Sequence, residues 1–257
     1  MARILFALIF SALILHAQSV QVASTLKAGQ DVEVQFSGAQ TPRDFICIVA
    51  KDTPEGKYTS YQYTGKKSSV TLQAPEEPGE YEVRVLSATS PYPTLARSAF
   101  TATPVTASLK AASSVDPGTD IEFTWEGPNN RKDFITIVKK GAPEKKYGTY
   151  VYVRGGSPQK IRVGEEPGDW ELRYLTGVER RTLASHPFTI GALAAATIAA
   201  PANVKAGADF TFTWTGPSNT KDFITLVPKG TPERKYERYV YARGGSPASL
   251  RAPDEAG

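Results

Sequence analysis

The chain has 257 residues but one cysteine, Cys47, and two histidines. A single cysteine excludes an intrachain disulfide in any compartment, so packed cores must supply the stability. Thr136 and Thr225 stand in its place in later copies of the sequence, which marks Cys47 as a small strand residue. Only His186 lies beyond the N-terminal apolar run, and no nucleophile or orienting acid accompanies it. It reads as a surface histidine on a strand. No G-x-S-x-G elbow, H-E-x-x-H pair or phosphate loop occurs, so no catalytic residue and no cofactor are expected.

Charge of one sign is not gathered anywhere. Thirty Lys and Arg face 26 Asp and Glu, a net +4 that falls to +3 without Arg3. A nucleic-acid partner would call for a basic stripe or a recognition motif, and neither is present. The one long apolar run, Ile4 to Leu15, is broken only by Ser11. It falls short of the roughly 20 residues a membrane helix needs. Arg3 before it and Leu15-His16-Ala17 after it make residues 1–17 a secretory signal peptide, cleaved before Gln18. The mature chain is therefore expected to be exported, periplasmic or extracellular, with no transmembrane span.

What the sequence does have is a sentence written three times. Trp125-Glu126-Gly127-Pro128 and Lys132-Asp133-Phe134-Ile135-Thr136 return as Trp214-Thr215-Gly216-Pro217 and Lys221-Asp222-Phe223-Ile224-Thr225. A looser copy runs through Phe36-Ser37-Gly38 and Arg43-Asp44-Phe45-Ile46-Cys47. The period is 222 − 133 = 133 − 44 = 89 residues, which is a whole domain in tandem and longer than a solenoid unit.

Inside each copy the apolar residues recur with period two between Gly and Pro signals. Ile121, Phe123 and Trp125 alternate with Glu122 and Thr124, and Trp170, Leu172 and Tyr174 alternate with Glu171 and Arg173. Phe134 to Val138 is a nearly continuous apolar run, as expected of a central strand covered on both faces. Tyr150 to Val153, Gln159 to Val163 and Arg181 to Ile190 supply further strands, and Pro187 marks an edge or a bulge. With a first strand at Val105 to Leu109, about seven short strands fit into one copy. That pattern predicts an all-β chain of tandem antiparallel immunoglobulin- or fibronectin-III-like sandwiches. Repeats over 18–102, 103–191 and 192–257 follow, with Thr101 to Pro104 and Gly191 to Ala196 as short connectors. The third copy stops before its strands F and G, because Gly257 aligns with Gly168, and Phe223, Ile224 and Leu226 should lose cover.

Glu77-Pro78-Gly79-Glu80-Tyr81 reads as the turn into strand F, with Tyr81 placed for a tyrosine corner. Trp170 takes that place in the second copy, where only packing is expected to survive. Asp44, Asp133 and Asp222 each open a strand, and the turn predicts that they accept backbone N–H bonds. Calcium would need six to eight oxygens, and no clustered acidic run supplies them. Glu76-Glu77 and Glu165-Glu166 read the same way, so no metal site is expected. Arg154-Gly155-Gly156-Ser157-Pro158 and its copy at Arg243 read as turns.

The candidate ligand patch is aromatic and basic. Lys57, Tyr58 and Tyr61 recur as Lys146, Tyr147 and Tyr150 and again as Lys235, Tyr236 and Tyr239, with Tyr63, Tyr152 and Tyr241 one alternation further on. Such groups could stack on glycan rings or hold an acidic partner. Half-buried tyrosine is an ordinary strand residue, however, and packing in the core or at its rim is the expectation.

The strings G-P-N-N-R-x-D-F-I-T-I-V, G-A-P-E-x-x-Y-x-x-Y-x-Y and E-P-G-x-W/Y-E-L-R-Y, best seen from Phe123 to Leu183, resemble a repeat of exported bacterial proteins. In several of those proteins similar modules accompany a von Willebrand factor type A domain. That domain's D-x-S-x-S metal motif is absent from Met1 to Gly257, so no metal ligand carries over, and any such domain would lie beyond Gly257. The resemblance implies a non-catalytic spacer or protein-interaction array of a bacterial envelope protein, built from monomeric modules. Two alternatives accompany it: a module binding an envelope glycan or other envelope ligand through the Tyr/Lys patch, or accessory domains of an exported enzyme.

Overall fold

Alternation decides which face each strand buries. In β3 (Asp31–Ser37) the side chains run exposed, buried, exposed from Asp31 onward, so Val32, Val34 and Phe36 point inward. The computed structural model describes residues 18 to 255; the signal peptide expected over 1–17 lies outside them.

The first repeat opens with β1 (Ser19–Gln21) and β2 (Thr25–Lys27), passes through β3, and continues with β4 (Phe45–Ala50) and β5 (Tyr61–Tyr63). It ends with β6 (Ser69–Gln73), β7 (Gly79–Leu86) and β8 (Thr94–Thr103). Two sheets result, in the orders β1-β3-β6 and β2-β8-β7-β4-β5. The short β2 pairs parallel with β8, and every other pairing is antiparallel. One three-stranded sheet faces one five-stranded sheet, with the opening strand split between them. That is an immunoglobulin-like sandwich without a disulfide.

The second repeat rebuilds the plan with β9 (Ser108–Ala111), β10 (Ser114–Val115), β11 (Asp120–Glu126) and β12 (Phe134–Lys139). β13 (Tyr150–Tyr152), β14 (Gln159–Arg162), β15 (Gly168–Leu175) and β16 (Thr182–Ile190) complete it. Its sheets are β14-β11-β9 and β10-β16-β15-β12-β13. The third repeat carries β17 (Thr197–Ala199), β18 (Asp209–Thr215), β19 (Phe223–Leu226), β20 (Arg238–Tyr241) and β21 (Ala248–Arg251). These form sheets β17-β18-β21 and β19-β20.

Each core lies between the two sheets. Val34, Ile46, Val83 and Phe100 meet in the first, and Phe123, Ile135, Leu172 and Tyr174 in the second. β12 is buried along nearly its whole length, as its apolar run predicts. The opening strand of the second repeat differs from expectation: it occupies Ser108–Ala111, where Leu109 pairs with Trp125. Thr101 to Thr103 still belong to β8, which leaves residues 104–107 as the connector. β16 pairs with β10 only at Thr189 and Ile190, so Pro187 sits where that strand has an open side. Phe223 is 41% exposed, against 7% for its counterpart Phe134.

Candidate functional site

The tyrosines do not enter the core. Tyr61 and Tyr63 pair across the sheet with Cys47 and Phe45, so they share the outer face of the five-stranded sheet with those residues. Phe45, Cys47, Val49 and Leu86 form a separate small cluster there, with Tyr58 and Tyr92 packed against it. From that base the rings climb outward: Phe45 to Tyr61 at 5.1 Å between centroids, then Tyr61 to Tyr63 at 5.3 Å, the last two nearly perpendicular. The second repeat steps from Phe134 to Tyr150 at 5.3 Å and to Tyr152 at 5.4 Å. The third steps from Phe223 to Tyr239 and Tyr241 at the same two spacings, 5.3 and 5.4 Å.

The outermost rings are open, with Tyr63 58% and Tyr152 53% exposed. This rules out the core between the sheets, while the inner rings pack at the rim, on Phe45, Phe134 and Phe223. Alternation puts both tyrosines on one face but cannot say which, and β5, β13 and β20 are edge strands whose outer face has no covering sheet. Tyr147 and Tyr236 flank their ladders and are exposed, while Tyr58 is half-buried. Lys57, Lys146 and Lys235 are exposed but do not sit on the rings. The cations that do are Arg180, 4.8 Å above Tyr147, and Arg243, 5.3 Å from Tyr241. The hydroxyls of Tyr61 and Tyr63 lie 3.5 Å apart. The phenol of Tyr61 is pushed above its usual value first by that bond and then by the neighbouring charge, and Tyr150 and Tyr239 behave alike.

What holds the ladder's base is a buried arginine. Arg84, 1% exposed, bonds Glu82 at 2.8 Å and donates to the carbonyls of Thr53 and Pro54, closing the loop between β4 and β5 over the outer face. Arg173 repeats this with Glu171 and the carbonyls of Ala142 and Pro143. A buried guanidinium is tolerated only with its donors satisfied, and here carboxylate and loop carbonyls do so. The alternation Glu171-Leu172-Arg173 was visible as a wet face; that a loop about 30 residues away covers it was not.

A second assembly lies where the first two repeats meet. Glu76 is 6% exposed. Its carboxylate accepts the Thr176 hydroxyl at 2.5 Å and the backbone N–H groups of Val178 at 2.8 Å and Glu179 at 2.7 Å. All three donors belong to the loop between β15 and β16 of the next repeat. Arg181 adds a bond to the Glu76 carbonyl and an ion pair with Glu77. Asn130 donates to the Ala28 carbonyl at 3.0 Å. Gly29 beside it has φ +77, and a Cβ there would come within 2.5 Å of the Asn130 amide. The turn reading of Glu76 thus holds only in part, for its donors come from another repeat.

The same loop is gripped from inside. Asp133 Oδ1 accepts the Gly177 N–H, and Oδ2 accepts the Tyr174 hydroxyl at 3.0 Å and the Asn130 N–H. Burial pushes the Asp133 carboxyl up to about 6 against the pull of those donors, and the Glu76 charge adds to the rise. Burial and the Asp133 charge raise the Tyr174 phenol in turn. Asp44 is the reverse: burial raises it, but N–H groups of Thr41, Ala88 and Gln40 outweigh that and hold it below the usual carboxylate range. The backbone-acceptor role expected of Asp44, Asp133 and Asp222 is observed in all three.

Tyr81 makes its corner, donating to the Glu77 carbonyl at 2.9 Å. Trp170 does more than pack: its indole N–H donates to the Glu166 carbonyl at 3.1 Å, replacing the hydroxyl. The Gly-Gly turns anchor strand tryptophans, with Trp125 donating to Gly156 and Trp214 to Gly245. Cys47 is buried, and burial lifts its thiol to about 11, a value at which it is unreactive. His186 is half-buried instead of lying on the surface, and its Nε2 has no hydrogen-bond partner. Among the described residues no group of three His, Cys, Asp or Glu could hold a metal ion, and no helix is long and apolar enough to cross a membrane.

No protein-family profile matches the chain, and no curated protein does. Solved structures similar to it include three N-terminal domains of the Highly Immunogenic Outer Capsid protein of bacteriophage RB49. That match has 14% identity, 77% of this chain and 68% of that one, at a TM-score of 0.30. The human OSCAR ligand-binding domain matches at 13% identity over 67% and 97%, TM-score 0.27. A two-domain fibronectin type III segment of chicken tenascin matches at 12% over 66% and 97%, TM-score 0.27. The immunoglobulin-like assignment rests on the strand order and register of this chain.

Proposed function

We propose that this chain is a non-catalytic, exported array of immunoglobulin-like repeats from a bacterial envelope protein, working as a spacer and protein-interaction module. A von Willebrand factor type A domain beyond Gly257 fits the resemblance of the repeats. The observation that carries this reading is the Glu76 joint. A buried carboxylate holding three donors of the next repeat, at about 1.5–3 kcal/mol per charged hydrogen bond, couples two sandwiches across a connector of only residues 104–107. Two repeats so joined keep whatever they present at a set separation and orientation. Backbone NMR relaxation tests it: the first two repeats should share one rotational correlation time. Independent tumbling of each repeat would contradict the spacer reading.

A second reading is favoured by the exposed tyrosines, which make each repeat a ligand platform. Its test is a glycan pull-down with the full chain, where saturable capture lost on Tyr147→Ala supports it and capture unchanged by that substitution opposes it.

A further inference from the structure

Resting on the platform reading, the geometry points to an extended acidic polysaccharide as the occupant of the tyrosine ladders.

Three features of the ladders select that chemistry. The first is ring orientation. Successive exposed rings meet at 77°, 79° and 81° in the three repeats. Perpendicular neighbours offer one open face per step, never two parallel ones. A sugar ring lays one C–H face on one aromatic ring and turns its hydroxyls sideways, so it needs no second ring parallel to the first. The second feature meets those hydroxyls. In the first ladder the hydroxyls of the outer two phenols, Tyr61 and Tyr63, lie 3.5 Å apart, and the corresponding rings of the other two ladders keep nearly the same spacing, 5.4 Å. Paired hydroxyls at the mouth of an aromatic surface match the neighbouring hydroxyls of a sugar.

The third feature is charge. Arg180 lies 4.8 Å over the Tyr147 ring, exposed and without a carboxylate ion pair among the described residues, and the exposed Lys146 and Arg154 are close to Tyr147 and Tyr152 in sequence. Arg243 lies 5.3 Å from the Tyr241 ring, and Lys57 and Lys235 adjoin Tyr58 and Tyr236 in sequence, all three exposed. Glu144, the carboxylate of the same loop, is engaged with the Thr182 N–H at 2.7 Å. Unpaired cations beside open rings call for an anionic chain. Repetition makes that chain a polymer. One ladder offers two or three rings and would hold a monosaccharide weakly. Each repeat carries a ladder, and a chain long enough to reach two of them makes its second contact with little extra ordering.

The experiment uses the full chain and four probes: polygalacturonate, dextran, poly-L-glutamate and oligothymidylate. The expected result is saturable, salt-sensitive binding to polygalacturonate, about tenfold tighter than to any of the other three. A variant carrying Tyr61→Ala, Tyr150→Ala and Tyr239→Ala should bind polygalacturonate at least tenfold more weakly, a loss of about 1.4 kcal/mol or more, with its thermal unfolding unchanged. Arg180→Gln should lower the salt dependence. Dextran bound as tightly and lost with the tyrosines would overturn the acidic assignment while leaving the platform reading in place. Equal binding to poly-L-glutamate or oligothymidylate would overturn the sugar. Polygalacturonate binding that survives loss of the tyrosines, or no binding at all, would overturn both.

Discussion

Glu76 and Glu165 occupy the same place in successive repeats, 165 − 76 = 89 residues apart, yet they live differently. Glu76 is buried and accepts three donors from the second repeat. Glu165 is exposed. Between the second and third repeats the described residues repeat only the smaller part of the joint, with Asn219 donating to the Pro117 carbonyl at 3.3 Å as Asn130 does to Ala28. The turn is the same object in both repeats, and Glu76 is buried by the loop that receives it, residues 176–181, whose counterpart by the 89-residue register would fall at 265–270, beyond Gly257. That loop needs Gly177, where a Cβ would approach the Lys132 carbonyl carbon to 2.6 Å, and it needs Asp133 to hold it from within.

Four experiments press on this contrast. The largest difference concerns the second and third repeats. In the 257-residue chain the third repeat exposes Phe223 where the second buries Phe134. Limited proteolysis should remove the third repeat while the first two persist; equal resistance in all three would break the contrast. Next, Glu76→Ala should cost about 3 kcal/mol in chemical unfolding, because it strands buried donors, while Glu165→Ala should stay within about 0.5 kcal/mol of the parent. Equal losses would mean that the Glu76 carboxylate owes its worth to its own turn and not to the loop over 176–181.

The third experiment varies pH. The folded Asp133 carboxyl sits at about 6 against an ordinary 3.8, so folding favours its neutral form. Its contribution is fully present below about pH 4 and is lost as pH rises through 6, weakening the second repeat by at most about 3 kcal/mol by pH 7. Asp44 has the opposite sign: its contribution is present above 3.8 and lost as pH falls through its lower folded value. Denaturant unfolding followed by Trp125 and Trp170 should show the slope of the second repeat, and Asp133→Asn should flatten it. The smallest effect is Tyr174→Phe, which removes one hydroxyl from Asp133 and should cost about 1 kcal/mol. Calorimetry that finds no change would place the Tyr174 bond outside the stability of that loop.

Much of the fold was legible because a sandwich strand buries every second residue. Val32, Val34 and Phe36 say so by spacing alone, and the 89-residue register extends the reading to each copy. The ladder's members were legible too, since they recur in step. Their exposure was not, because period two assigns residues to faces without telling which face a sheet covers. The Arg84 and Arg173 clasps close loops about 30 residues back along the chain, and nothing local announces such a contact. Glu76 was read as a turn residue for the same reason, its partners lying about 100 residues away. Tyr174 left a faint signal, a polar hydroxyl among Leu172 and Leu175 on a strand shared with a repeated aspartate.

A distance measurement reaches the rigidity of the first joint directly. Spin labels at Lys67→Cys and Lys160→Cys, in a Cys47→Thr background that borrows the residue of the other two copies, place one probe on each of the first two repeats. Double electron–electron resonance should give one narrow distance distribution that broadens on Glu76→Ala. A distribution already broad in the parent, or one indifferent to Glu76→Ala, would contradict a fixed joint.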